Sequence, residues 1–420
     1  MATILTDISA LQFHRTPPAA LLMDLHSSDN PEGPARPFTM DVRRRNAPEC
    51  YKRINAELNG VLAGVTPPFH VIDTEGHRTR TQNIVSHTIK APASTELIPI
   101  ANGLYVTTPM RTILELCRRY PAIAVAKIIH ELCGLYTLVN PNPRLTHALK
   151  SAPFDSRREP GRQLAAFYLA NGAPRTFPPQ EEATDLWAPC IARNGQRTNL
   201  WKRPPICSID ELLAYATANE GASGIKTLRK ALRLSVPGSG SPAETIASLL
   251  IGPERRFGQE GLPSPLLNRR IVLTELGRLS LGHSSCVVDL SWPEGSVPHP
   301  NCCIEIDGAA FHDDSMIDPH KLRTTNDDSA RRIALAQAGL EVVSLSWSQL
   351  VMLERWDAAM DIIYSKLGLY RRKPTVAFLN RRRALREQVF APDIALSNHD
   401  ESHNPSHQER ASSFQKDLVK

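Results

Sequence analysis

A chain of 420 residues is long for one compact core, so two or three domains are expected. Hydrophobic residues at 41% and charged residues at 22% are the proportions of an ordinary soluble globular protein, and 34 prolines argue for many bounded elements over long bundles. The net charge of +6 admits a nucleic-acid partner without demanding one. Eight cysteines are scattered with no CxxC pair, which argues against a zinc ribbon. No basic segment followed by an apolar core opens the chain, so a signal peptide is not expected. The most apolar stretch, Pro121 to Val139, is interrupted by Lys127, His130 and Glu131 and is too polar to span a bilayer. A cytoplasmic protein with reduced thiols and no membrane partner is the expectation.

Residues 1–46 show no regular pattern. Ser27 to Pro37 is rich in Pro, Gly and Ser and reads as a loop, and Arg43, Arg44 and Arg45 after it read first as a solvated run. A small α+β domain is expected over residues 47–150. Ile54, Leu58 and Leu62 give Ala47 to Leu62 helical spacing. Phe69 to Ile72 and Ile84 to Ile89 are short, β-branched strand candidates. Gly103 to Pro109 is a strand running into a turn, where Thr108 is the expected N-cap and Pro109 fits the first helical turn. Two helices then follow, the first through Met110, Ile113, Leu114 and Leu116, the second over Ile123 to Gly134.

The run from Gly103 to Leu116 is similar to the strand-to-helix signature of abortive-infection type antitoxins, with Arg111 and Thr112 matching the Arg-Thr pair that opens its helix. That resemblance implies a transcriptional regulator and a protein partner in a toxin–antitoxin or phage-defence system. From the residues alone, Arg111 reads equally well as a helix-start residue paired to a nearby carboxylate.

Residues 151–235 are expected to be a helical connector. Asp210 to Ala218 and Gly224 to Leu234 have helical spacing, and the second carries Lys226, Lys230 and Arg233 on its polar face. Pro237 to Ser241 is the clearest hinge in the chain, and a further domain is expected over residues 241–370.

That domain begins with Ser241, Pro242 and Glu244, an N-cap, a first-turn proline and a capping-box carboxylate. Helix Pro242 to Leu250 leads through Gly261 to Pro265 into a strand over Asn268 to Leu273. Cys286 to Leu290 is a β-branched run carrying Asp289, and Cys302 to Asp307 returns as another strand. Period two puts Cys303, Glu305 and Asp307 on one face. If these two strands pair antiparallel, Asp289 lies beside Glu305 near the end of the sheet. Oxygen ligands gathered in this way suit Mg²⁺ or Mn²⁺. A helix through Asp328, Arg331 and Leu335 ends at Gly339, a strand over Glu341 to Leu345 follows, and Gln349 to Tyr364 closes the domain as a helix. The order helix, three strands, helix, strand, helix describes a small α/β sandwich.

Five strings stand in sequence: Ser241 to Glu244; Gly261 to Asn268; Val288 to Glu294; Ile304 to Gly308; and Asp328, Arg331, Leu335 and Gly339. Together they resemble very-short-patch-repair-like endonuclease domains of the PD-(D/E)XK superfamily. The resemblance implies an α/β fold ending in a restriction-endonuclease-like sandwich, and a DNA endonuclease that hydrolyses phosphodiester bonds. It places Asp289 and Glu305 at the metal-binding acid positions, with Mg²⁺ or Mn²⁺ as cofactor and DNA as partner. Glu244 matches the helix acid, Asp307 stands where Lys is frequent, and His312 resembles the histidine after the Asp-Gly turn. Each residue alone also has a plain reading: a capping box for Glu244, an edge-strand charge for Glu305, a turn for Asp307 and a surface histidine for His312. Residues 371–420 are expected to be basic and then disordered. Arg371 to Lys373 and Arg381 to Arg383 suit either phosphate neutralisation or a solvated helix.

Overall fold

A computed structural model of the chain describes residues 2–17, 20, 49–73, 81–87, 91–101, 103–151, 187–192, 197–307, 316–317 and 325–396. The protein is mixed α/β and divides into two compact units: Met1–Cys190 with Arg197–Pro237, and Ile191–Gln196 with Gly238–Lys420. The boundary at Pro237 falls on the Pro-Gly-Ser hinge. Among the described residues, no helix is long and apolar enough to cross a membrane.

The first unit starts with β1 (Thr3–Leu5) and α1 (Asp7–His14), followed by α2 (Glu49–Glu57), β2 (Phe69–Asp73), β3 (Ile84–His87), β4 (Leu97–Ala101) and β5 (Leu104–Thr107). The strands form one sheet in the order β3-β2-β1-β5-β4. β1 lies parallel to β5 and antiparallel to β2, so the N-terminal segment is the centre of the sheet. The expected irregular segment of residues 1–46 is corrected here for its first part. A three-residue strand and an eight-residue helix buried on every side leave no amphipathic period to detect. Residues 21–48, including Arg43, Arg44 and Arg45, lie outside the described residues.

Leu5, Phe13, Ile54, Phe69, Val71, Ile84 and Val106 share the core of this sheet. After β5 come α3 (Pro109–Leu116) and α4 (Ala122–Leu132), and the Thr108 side chain caps α3 at the Arg111 amide as its sequence position implies. β6 (Tyr136–Leu138), α5 (Pro143–Ser151), β7 (Ala188–Ala192), β8 (Arg197–Lys202), α6 (Ile209–Ala218) and α7 (Ile225–Leu234) follow. The expected helical connector is therefore part strand, with β6 and β8 paired antiparallel, and residues 152–186 of it lie outside the described residues.

Two fully buried histidines make this unit sensitive to acid. His14 packs in the core with Nε2 2.8 Å from the Thr107 carbonyl, and His130 Nε2 approaches the Leu234 carbonyl at 3.4 Å. Burial pushes both down from 6.5 to about 4. Between those values the unfolded chain binds more protons than the folded one. Their stabilising contribution is thus whole above 6.5 and is lost as pH falls toward 4. The urea midpoint of the full chain is expected to drop as pH is lowered through this window, and a flat profile there would contradict the assignment.

The second unit contains α8 (Pro242–Ile251), β9 (Leu266–Val272), α9 (Glu275–Leu281), β10 (Ser285–Ser291), β11 (Cys302–Asp307), β12 (Met316–Ile317), α10 (Thr325–Gln337), β13 (Glu341–Ser346), α11 (Trp347–Val351), α12 (Leu353–Lys366) and α13 (Val376–Val389). Its four-stranded sheet has the order β13-β11-β10-β9, with β9, β10 and β11 antiparallel and β13 parallel to β11. Cys286, Val288 and Cys303 pack against Ala334 and Leu335 of α10. The expected helix, three strands, helix and strand occur in that order, with β12 intervening between β11 and α10. α9 is an addition that the sequence hides, because it is one short segment of seven residues with a glycine inside.

The basic tail expected from residue 371 is ordered as far as residue 396. Arg371 and Arg382 both bond Asp357 and the buried carboxylate of Glu260, which also accepts the Trp356 indole N–H at 2.9 Å. Arg386 donates to the Leu350 and Val351 carbonyls that end α11. Three of the seven basic residues between 371 and 386 are thereby drawn inward. Arg372, Lys373 and Arg383 remain exposed, and residues 397–420 lie outside the described residues.

Candidate active site

The two candidate metal-binding acids stand on neighbouring strands. Leu290 of β10 faces Ile304 of β11 and Ser291 faces Cys303, and Asp289 and Glu305 each follow one residue beyond the Leu290–Ile304 pair. The ladder between these strands ends there. Asp289, buried to 3% exposure, turns its Oδ2 to accept the Ile306 amide at 2.7 Å. A side chain thus takes an amide at the point where the backbone pairing stops.

Glu305 is half-buried and points to α10, where Arg331 Nη2 donates to its Oε1 at 2.7 Å. Arg331 also donates to the Val287 carbonyl on β10 and therefore bridges both acid-bearing strands. A guanidinium at this position offsets the cost of holding the Glu305 carboxylate away from water. Beside them, burial pushes the Cys303 thiol up to about 12, and the Glu305 charge adds to the shift. A thiol so placed stays protonated at neutral pH and is inert as a nucleophile. Asp289 and Glu305 offer carboxylate oxygens, the donor type that a hard divalent cation such as Mg²⁺ or Mn²⁺ takes.

Asp307 shares the period-two face with Glu305 but is exposed at the end of β11, beside Ser346 of β13. Among the described residues, no third carboxylate, imidazole or thiol joins Asp289 and Glu305 in a three-ligand group. His312, with Asp313 and Asp314, lies outside the described residues.

Glu244 serves α8. Its carboxylate accepts the Gly240 amide at 2.6 Å and the Ser241 hydroxyl at 2.9 Å, and the Asn268 side-chain amide of β9 donates to it as well. The Ser241 side chain in turn accepts the Glu244 amide at 3.2 Å, so part of this network caps α8. Asn268 has a positive φ of 49°, and its amide also reaches the Gly238 carbonyl at 2.9 Å, so the group fastens the hinge segment to β9. Glu244→Ala is expected to lower the urea midpoint by the equivalent of about 1–2 kcal/mol, the typical loss of a cap. An unchanged midpoint would show that the network is dispensable.

Arg111 is likewise a structural pair. It bonds Glu115 at 2.7 Å and Glu96 at 3.2 Å, which is the helix-start reading open to it from the sequence. Two features escaped sequence reasoning. Arg331 reads from the sequence as a helix-face residue one turn from Asp328 and as part of the last of the five strings, and nothing in its spacing names Glu305 as its partner. Asp7, His70 and His87 meet in the first unit from three separate elements, and only the placement of the two histidines on or beside the strand candidates offered a signal.

No family model, curated protein or solved structure matches the chain.

Proposed function

We propose that the second unit is a metal-dependent DNA endonuclease domain of the PD-(D/E)XK type, hydrolysing phosphodiester bonds with Asp289 and Glu305 as the ligands of Mg²⁺ or Mn²⁺. The observation that carries this reading is that Asp289 and Glu305 stand on neighbouring antiparallel strands, each one residue beyond the Leu290–Ile304 pair. The four-stranded sheet β13-β11-β10-β9, with α10 leading into β13, is the kind of α/β framework that reading requires. A bound divalent cation supplies an activated water and neutralises charge on the scissile phosphate. The chain itself holds the acids in place: the Ile306 amide orients Asp289, and Arg331 orients Glu305. Exposed Arg372, Lys373 and Arg383 in the same unit suit contacts to a phosphate backbone, with affinity that falls as salt rises.

The Arg331–Glu305 bond also favours a second reading. An acid pair already satisfied by an internal guanidinium needs no metal, and the domain would then be a scaffold in a DNA-binding regulator of antitoxin or phage-defence type. Supercoiled plasmid incubated with the full chain separates the two. Nicking that requires Mg²⁺ or Mn²⁺ and stops with chelator supports the enzyme. A metal-independent gel shift without nicking supports the regulator and ends the enzyme reading.

A further inference from the structure

The first unit gathers ligands of a different kind. Asp7 opens α1, His70 lies on β2 and His87 ends β3, and one ligand atom from each stands within 4.8 Å of the other two. His70 Nδ1 is 2.9 Å from His87 Nε2 and 3.9 Å from Asp7 Oδ1. Two ligands of a tetrahedral zinc with bonds of about 2.0–2.1 Å stand roughly 3.3 Å apart, and the observed separations bracket that value. Little movement is needed to close the group on an ion.

The site is built rather than incidental. Asp7 and His70 are both buried, and the two imidazoles stack with centroids 5.0 Å apart. Asp7 takes a left-handed backbone with φ 53°, a conformation that costs free energy in a residue other than glycine. Its Oδ1 accepts the Ile8 amide at 2.8 Å, which fixes the direction of the carboxylate.

A positive charge already occupies the point where these groups converge. Arg119 Nη1 donates to Asp7 Oδ2 at 2.9 Å and lies 3.2 Å from His70 Nδ1. A guanidinium can only donate, so His70 Nδ1 must present its lone pair there, and His87 Nε2 is the donor in the imidazole pair. A lone pair and a carboxylate aimed at one cation form the first part of a metal-binding set. The Arg119 side chain is 42% exposed, so it can leave for solvent without disturbing the core.

We propose that Asp7, His70 and His87 bind a first-row divalent transition metal, Zn²⁺ foremost, which enters by displacing Arg119 from Asp7 and His70. Two imidazole nitrogens and one carboxylate oxygen select zinc over magnesium, in contrast to the oxygen-only acid pair of the second unit. Three protein ligands leave one tetrahedral position for water. The metal would also fasten the N-terminal helix to β3, the edge strand of the sheet.

The test uses the full chain carrying His399→Ala, His403→Ala and His407→Ala, which removes the evenly spaced histidines near the C-terminus as competing ligands. After chelator treatment, Zn²⁺ is titrated against a chromophoric competitor, and Co²⁺ absorbance reports the coordination. The parent is expected to bind a single equivalent, which Asp289→Ala retains. His87→Ala should weaken binding on the order of 100-fold, at the upper end of what losing even a supporting partner costs. Arg119→Ala removes only a half-exposed competitor and should tighten binding about tenfold. No zinc binding in the parent, or equal binding in the parent and His87→Ala, overturns the proposal. So does an Arg119→Ala affinity that is unchanged or weaker.

Discussion

Asp289→Asn is expected to abolish metal-dependent nicking while leaving the domain folded. The carboxylate has two separable duties: its Oδ2 accepts the Ile306 amide at 2.7 Å, and under the endonuclease reading its charge holds a divalent cation. Asparagine keeps a side-chain oxygen for the amide and discards the charge. Loss of one metal ligand should slow nicking about 100-fold or more, roughly 3 kcal/mol of barrier. Glu305→Gln makes the same separation on β11, because its amide oxygen can still accept from Arg331. Both variants should keep a urea midpoint near that of the wild type. Asp289→Ala, which also leaves the buried Ile306 amide without its acceptor, should be less stable by about 1–3 kcal/mol. Nicking by Asp289→Asn at the wild-type rate would sink the enzyme reading whatever the stability data show.

The two strands carrying these acids were legible because their signal is local. Asp289 and Glu305 each end or interrupt a β-branched run, and runs of that kind mark strands without reference to the rest of the chain. Arg331 was not legible as their partner, because a helix-face arginine meets a strand carboxylate only through the packing of Ala334 and Leu335 onto Cys303. The same difference explains the N-terminal strand. Thr3 to Leu5 is three residues long, and its place in the sheet comes from pairing with Val71 to Asp73 and Leu104 to Val106, far along the chain. The basic residues near the C-terminus mislead for the opposite reason. Arg371 and Arg382 look solvated in a run of like charge, yet Glu260, over 100 residues earlier, draws both inward.

Arg15→Ala is expected to destabilise the first unit by about 3–5 kcal/mol, the cost of stranding one member of a buried ion pair. Arg15 follows α1 and has no exposed surface, and Glu131, near the end of α4, is 2% exposed. The pair is bidentate, with Arg15 Nε 2.9 Å from Glu131 Oε1 and Nη2 2.5 Å from Oε2. The same Oε1 accepts the Thr137 hydroxyl at 2.6 Å and the Leu138 amide at 3.1 Å. Glu131 therefore joins the N-terminal helix, α4 and β6 through one carboxylate. Replacing both partners by apolar residues would remove the stranded charge but also leave Thr137 and Leu138 without their acceptor. The variant Arg15→Met with Glu131→Leu should recover only part of the loss, whereas Arg15→Met with Glu131→Gln, which retains a neutral acceptor, should recover more. Urea denaturation of the three variants ranks them directly. A loss under about 1 kcal/mol for Arg15→Ala would mean that the pair behaves as an exposed salt bridge does, and that the N-terminal segment is held by the β1 pairing and its apolar neighbours alone.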